Sequence, residues 1–165
     1  MIERTLVLVK PDGVQRCMIG KVIERFETAG LKILGMKMVK MSKEFALKHY
    51  TEDIALKHGQ HVREQLIDFI TSAPVVAMVL EGVEAVKVVR KLIGPTEPQA
   101  ALPGTIRGDF AHIDFDYADR NKAVAPNIVH GSGNKEEAKH EIALWFTNEE
   151  LHEYETINDK FCLLR

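Results

Sequence analysis

Pro74-Val75-Val76-Ala77-Met78-Val79-Leu80 decides the fold class: six successive apolar residues stand between a proline and Glu81-Gly82. A short apolar run with β-branched members and turn signals at both ends predicts a buried strand. Beyond it, Glu81-Gly82 turns the chain into a helix carrying Val86, Val89 and Ile93, closed by Gly94-Pro95. Before it, Val62, Leu66, Phe69 and Ile70 mark a helical face, while residues 51–61 show no decisive period. Ser42 caps a helical stretch reaching Tyr50, and Leu31 to Met41 reads as a strand. Farther back, Ile19, Val22, Ile23, Phe26 and Ala29 stand at helical spacing ahead of Gly30. Glu3 to Lys10 reads as a buried strand stopped by Pro11-Asp12-Gly13.

After Pro95 the character changes. Prolines, glycines and polar residues dominate as far as Pro126, and a loop of that length in a compact domain is unusual. Ile128-Val129 then gives a short last strand, and Ala138, Ile142 and Trp145 mark another helix. Thr147-Asn148-Glu149-Glu150 is a capping-box pattern that predicts one more short helix from Leu151. Two strand–helix–strand units in this order predict an α+β sandwich of the split, ferredoxin-like βαββαβ kind. Its sheet is four-stranded and antiparallel, helices pack on one face, and a long loop precedes His130. A doubly wound parallel sheet wants more strands than the chain offers. The length of 165 residues suits one domain, 1–165.

Composition narrows the function. The chain is 45% hydrophobic and 28% charged with a formal net charge of −2, so there is no basic stripe for nucleic acid and no polybasic membrane patch. No apolar run is long enough to span a bilayer. Cys17 and Cys162 read as two reduced thiols of a cytoplasmic protein. His58-x-x-His61 has metal-ligand spacing, but no nearby residue completes a set, so no zinc site is expected.

The chemistry centres on His130, in the run Ala125-Pro126-Asn127-Ile128-Val129-His130-Gly131-Ser132-Gly133. A neutral imidazole beside a Gly-Ser turn is suited to act as a nucleophile near pH 7. Lys10 stands at the carboxyl end of the first strand, Arg90 on the helix leading into the long loop, and Thr96 and Arg107 within that loop. Guanidinium groups grip phosphate oxygens through paired planar hydrogen bonds, and an ammonium acts as a point charge. This set of cations suits an oligophosphate. No Gly-x-x-x-x-Gly-Lys-Ser/Thr loop is present to cradle one.

Four motifs stand in sequence: Lys10-Pro11-Asp12-Gly13-Val14-Gln15-Arg16, Gly94-x-Thr96-x-Pro98, Pro103-Gly104-Thr105-Ile106-Arg107-Gly108-Asp109-Phe110 and Asn127-Ile128-Val129-His130-Gly131-Ser132. Together they resemble nucleoside diphosphate kinase, from Glu3 to Trp145 and into the tail. The resemblance implies transfer of the γ-phosphate of a nucleoside triphosphate to a nucleoside diphosphate, in a ping-pong reaction through phosphohistidine at His130. It implies that Lys10 and Asn127 hold the ribose hydroxyls, and that Lys10 also offsets charge at the transferred group. Arg90, Thr96 and Arg107 would bind the distal phosphates, and Tyr50 would pack beside the histidine. Glu141 would orient the imidazole and Ser132 would support Glu141. Magnesium (Mg2+) would ride on the phosphates without direct protein ligands. The family's assemblies imply a homo-oligomer, a hexamer by preference and otherwise a tetramer.

Three departures limit this transfer. Val62 stands where the family commonly has an aromatic that stacks on the base, leaving Val62, Leu66 and Val124 to line the base site. Gly133 stands where the family has Asp, removing a carboxylate from the start of the following helix. The loop at about 111–125 is expanded, with Phe115 and Tyr117 as candidate anchors for subunit contacts. The remaining histidines, His49, His112, His140 and His152, read as surface or packing residues. The alternative function is a catalytically silent nucleotide-binding regulatory protein on the same scaffold.

Overall fold

The computed structural model describes residues 1–164. In chain order the elements are β1 (Ile2–Val9), α1 (Pro11–Gln15), α2 (Ile19–Thr28), β2 (Lys32–Val39), α3 (Lys43–His49), α4 (Glu52–His58) and α5 (Gln60–Ser72). β3 (Val75–Val83), α6 (Ala85–Ile93), α7 (Ile106–Phe110), α8 (Phe115–Arg120), β4 (Val129–Gly131), α9 (Lys135–Trp145) and α10 (Ile157–Cys162) complete the list. The strands form one sheet of order β2-β3-β1-β4 with every neighbouring pair antiparallel, the arrangement of a ferredoxin-like βαββαβ sandwich.

β3 explains why the sheet is sealed on both sides. Val75 to Leu80 are all buried, and alternate residues must serve opposite faces. Val76, Met78 and Leu80 pack with Val22, Phe26, Val89, Ile93 and Ile106, which come from α2, α6 and α7. Val75, Ala77 and Val79 pack with Ala46, Ile67, Ile70 and Trp145 from α3, α5 and α9. The expectation of helices on one face therefore gives way to helices on both. A run apolar at six successive positions, Val75 to Leu80, is the signature of double-sided cover.

Other segments also differ from expectation. Pro11-Asp12-Gly13 opens α1 rather than simply ending β1, because proline suits the first helical position. The undecided stretch before Val62 holds α4, none of whose residues is buried. The long loop is largely built: a 3-10 turn at Pro98–Ala100, then α7 and α8. The capping box at Thr147 is present but caps a 3-10 turn, Asn148–Glu150, not a helix from Leu151. The chain there runs against β2, where His152 N–H donates to Leu34 O at 2.7 Å. Gly35 allows this approach, since a Cβ at that position would lie 2.6 Å from Glu150 O. No helix among the described residues is long and apolar enough to cross a membrane.

Candidate active site

His130 sits in β4 opposite Leu8 of β1, with 24% of its side chain exposed. Its Nε2 lies 2.9 Å from Oε1 of Glu141, which projects from α9. The Ser132 hydroxyl donates to the other oxygen of Glu141, and Leu6 N–H donates to the Ser132 hydroxyl at 3.3 Å. Burial pushes the Glu141 carboxyl up, but the His130 and Ser132 hydrogen bonds outweigh it and hold the group below its ordinary range. An ionised carboxylate can only accept, so Nε2 of His130 is the donor in this contact.

His49, which from sequence reads as a surface or packing residue, belongs to this cluster. It ends α3, and its side chain is 1% exposed. Its ring meets that of His130 edge-on, with centroids 5.1 Å apart. Trp145 Nε1 donates to His49 Nδ1 at 3.3 Å. Burial, then the neighbouring His130, depress its pKa to about 3, so it is neutral at pH 7. Tyr50 follows it, buried, with its ring 4.8 Å from that of His49. Burial and the nearby Glu141 push the Tyr50 hydroxyl above its ordinary range. The available signal was adjacency: His49 and Tyr50 share the end of a helix whose partner, α9, carries Glu141 and Trp145. A hollow of about 560 Å³ opens beside these residues, lined by His49, Tyr50, His130 and Glu141 together with Asp53 and Lys57.

A second cluster adjoins the first through Asn127-Ile128-Val129. Lys10 Nζ donates to Asn127 Oδ1 at 2.8 Å, and Asn127 Nδ2 donates to Thr96 O at 2.8 Å. Burial, reinforced by Arg107, lowers the Lys10 pKa to about 8, against an opposing pull from Asp12. Arg107 is 3% exposed and donates to Asn127 O at 3.3 Å, Gly94 O at 2.9 Å and Val129 O at 2.7 Å. It braces the loops around the site with three of its five N–H groups. Burial, then Arg90, lower its pKa to about 10. Arg90 is itself exposed on α6, and Thr96 is exposed.

The three base-site candidates are half-buried, and Leu66 packs against the core on its side of the sheet. Gln65 on α5 donates to Lys122 O at 3.3 Å, which ties the helix bearing Val62 and Leu66 to the segment before Val124. The carboxylate absent at Gly133 has a local substitute: Glu137 Oε2 accepts Gly133 N–H at 3.0 Å. Asn134 caps α9 by accepting Glu137 N–H at 2.8 Å. In the expanded loop, Asp114 caps α8, and Glu97 accepts Phe115 N–H at 2.9 Å. A larger hollow of about 780 Å³ lies under the tail, but its Lys32–Asp159 and Arg4–Glu81 charges are paired with each other.

Comparison with known proteins identifies the family and the fold. The family model for nucleoside diphosphate kinase matches residues 3–151. A nucleoside diphosphate kinase of Borreliella burgdorferi is 45% identical over 155 residues, covering 93% of each chain. One of Pyrococcus furiosus is 51% identical over 153 residues, covering 93% of this chain and 88% of that protein. Among solved structures, a transition-state mimic of the Borrelia burgdorferi enzyme with bound vanadate and ADP superposes with a TM-score of 0.96. It shares 43% identity and covers 98% of this chain and 97% of its own. The Halobacterium salinarum enzyme in complex with CDP gives 0.84 at 41% identity, covering 98% and 99%. This chain belongs to the nucleoside diphosphate kinase family.

Proposed function

We propose that the chain exchanges phosphoryl groups between nucleoside triphosphates and diphosphates in two half-reactions, with Nδ1 of His130 as the nucleophile. The 2.9 Å contact between His130 Nε2 and Glu141 carries this reading. It supports a tautomer with the Nδ1 lone pair free, in a side chain that remains partly exposed. In the first half-reaction that lone pair attacks the γ-phosphorus, and the bond to the bridging oxygen breaks, its electrons leaving with the nucleoside diphosphate. The proton stays on Nε2, and the positive charge that develops on the ring is met by Glu141. A second diphosphate then takes the phosphoryl group by the reverse path. Splitting one transfer into two through a covalent intermediate is the logic of nucleophilic catalysis, with positioning and charge supplying most of the rate.

Lys10, buried and hydrogen-bonded to Asn127, is the cation for the transferred group in this reading, and the two side chains offer a donor–acceptor pair to the ribose hydroxyls. Arg90 and the two uncommitted N–H groups of Arg107 serve the distal phosphates, with Thr96 beside them. Magnesium is expected on the nucleotide. Among the described residues, the one group of three possible metal ligands is His49, His130 and Glu141. Two imidazoles and an already hydrogen-bonded carboxylate suit a hard, oxygen-seeking cation poorly. The phosphates themselves are the better donor set, and the ion would add charge neutralisation there. Relatives solved with ADP and vanadate and with CDP support a diphosphate site of this kind. The exposed Phe115 and Tyr117 support a homo-oligomer, and the two free thiols support a reducing, cytoplasmic setting.

Incubation with γ-labelled ATP and magnesium is the test. The expected product is an acid-labile, base-stable label that chases onto added diphosphate and is missing from His130→Ala. An unlabelled wild type, or an equally labelled variant, overturns the proposal.

A further inference from the structure

Ile128, two residues before His130, has φ of +69°, a rare backbone state for a β-branched side chain. Val129 N–H donates to Asn127 O at 2.7 Å across it. A bond from residue i+2 back to i, around a residue of positive φ, is a γ-turn of the rare, strained hand. Such strain persists only where surrounding contacts over-determine it.

Those contacts come from one place. Lys10 N–H donates to Ile128 O at 2.8 Å. Asp12 Oδ2 accepts Ile128 N–H at 2.8 Å. Gly13 lets α1 come this close, since a Cβ there would lie 3.0 Å from Ile128 O and 2.8 Å from Val9 Cγ1. Both peptide groups of the strained residue are thus held by Lys10-Pro11-Asp12-Gly13. Asp12 is 8% exposed, and its Oδ1 is buried with no partner among the described residues. A half-satisfied buried carboxylate is a net cost to folding unless its other oxygen performs something specific.

We propose that Asp12 is a positioning residue: its carboxylate clamps Ile128 in the γ-turn, which aims Asn127 at Lys10 on one side and sets the strand of His130 on the other. Asp12 touches no reacting atom. It acts by holding two groups of the proposed phosphotransfer site in register, so this inference rests on that reading of His130.

Single-turnover phosphorylation by γ-labelled ATP, at pH 7 and saturating nucleotide, tests it. Asp12→Asn keeps an acceptor for Ile128 N–H and should hold the rate within about threefold, whereas Asp12→Ala should slow it by about tenfold to a hundredfold, the scale of an ångström misplacement. Glycine takes positive φ without strain, so in an Ile128→Gly background the alanine change should cost less than about threefold. Each alanine effect is measured against its own background, which removes the packing loss at position 128. Equal losses in Asp12→Asn and Asp12→Ala would assign the effect to charge and overturn the clamp, as would an alanine cost that is the same in both backgrounds. If Ile128→Gly does not fold, the Asn and Ala comparison decides alone. An unlabelled wild type sinks the reading of His130 and the clamp with it; a labelled wild type with indifferent Asp12 variants sinks the clamp only.

Discussion

Replacing Lys10 by methionine should make the protein more stable and less active. Lys10 is 7% exposed, and burial with Arg107 nearby drops its pKa from 10.5 to about 8. At about 1.4 kcal/mol per pKa unit, that difference represents about 3 kcal/mol held against the charged form. The sign follows from proton counts. The folded value lies below the unfolded one, so below pH 8 both states carry the charge and the folded state bears the whole cost of burying it. Between pH 8 and 10.5 the unfolded chain binds more protons, and this contribution to stability rises with pH. Methionine keeps the stem and removes the charge, but it leaves Asn127 Oδ1 without its donor, which costs about 1–3 kcal/mol. The net gain at pH 7 is therefore up to about 2 kcal/mol, or up to about 8 °C in Tm for a chain of this length. Urea unfolding of both proteins at fixed concentration from pH 7 to 10.5 measures it. The gap between them should close as pH rises through that window, while the phosphorylation rate of Lys10→Met falls by about a hundredfold or more. A variant less stable than wild type at pH 7, or a gap that does not change with pH, would refute the reasoning.

Three further outcomes follow from the same geometry. Glu141→Gln offers His130 Nε2 an amide donor, which moves the ring proton to Nδ1; phosphorylation should slow by about 10³-fold or more, as for other wrong-tautomer substitutions, and a near-normal rate would count against the assignment. Arg107→Lys cannot satisfy Asn127, Gly94 and Val129 carbonyls together, so it should cost about 2–4 kcal/mol in urea unfolding as well as activity, and a loss of activity at full stability would remove its bracing role. Phe115→Ser with Tyr117→Ser should lighten the sedimenting species without changing the site of labelling; an unchanged sedimentation profile would remove α8 from subunit contact.

The residues that could be read from the sequence are those whose signal is local. The apolar run of Val75 to Leu80 announces its own burial, and the cations of the four motifs point by chemical type to the phosphate site proposed above. What escaped depends on contacts between distant segments. His49 gains its place because α3 and α9 cross, which brings Trp145 to its Nδ1 from 96 residues away. Asp12 reaches Ile128 across 116 residues, so Pro11-Asp12-Gly13 read alone is a stop signal and not a clamp. Helices cover both faces of the sheet because the run Val75 to Leu80 is apolar at every position, a double-sided signal that an expectation of one covered face overlooks. The helix expected at Leu151 is lost because the chain there lies against β2 at Gly35, an approach that the capping residues before it do not encode.

Phosphorus–nitrogen correlation in NMR of the ¹⁵N-histidine phosphoenzyme, held at alkaline pH, identifies the nitrogen that carries the phosphoryl group. One phosphorus coupled to Nδ1 of His130 is expected, with the proton retained on Nε2 beside Glu141. Phosphorus on Nε2, on His49, or on any other residue would contradict it.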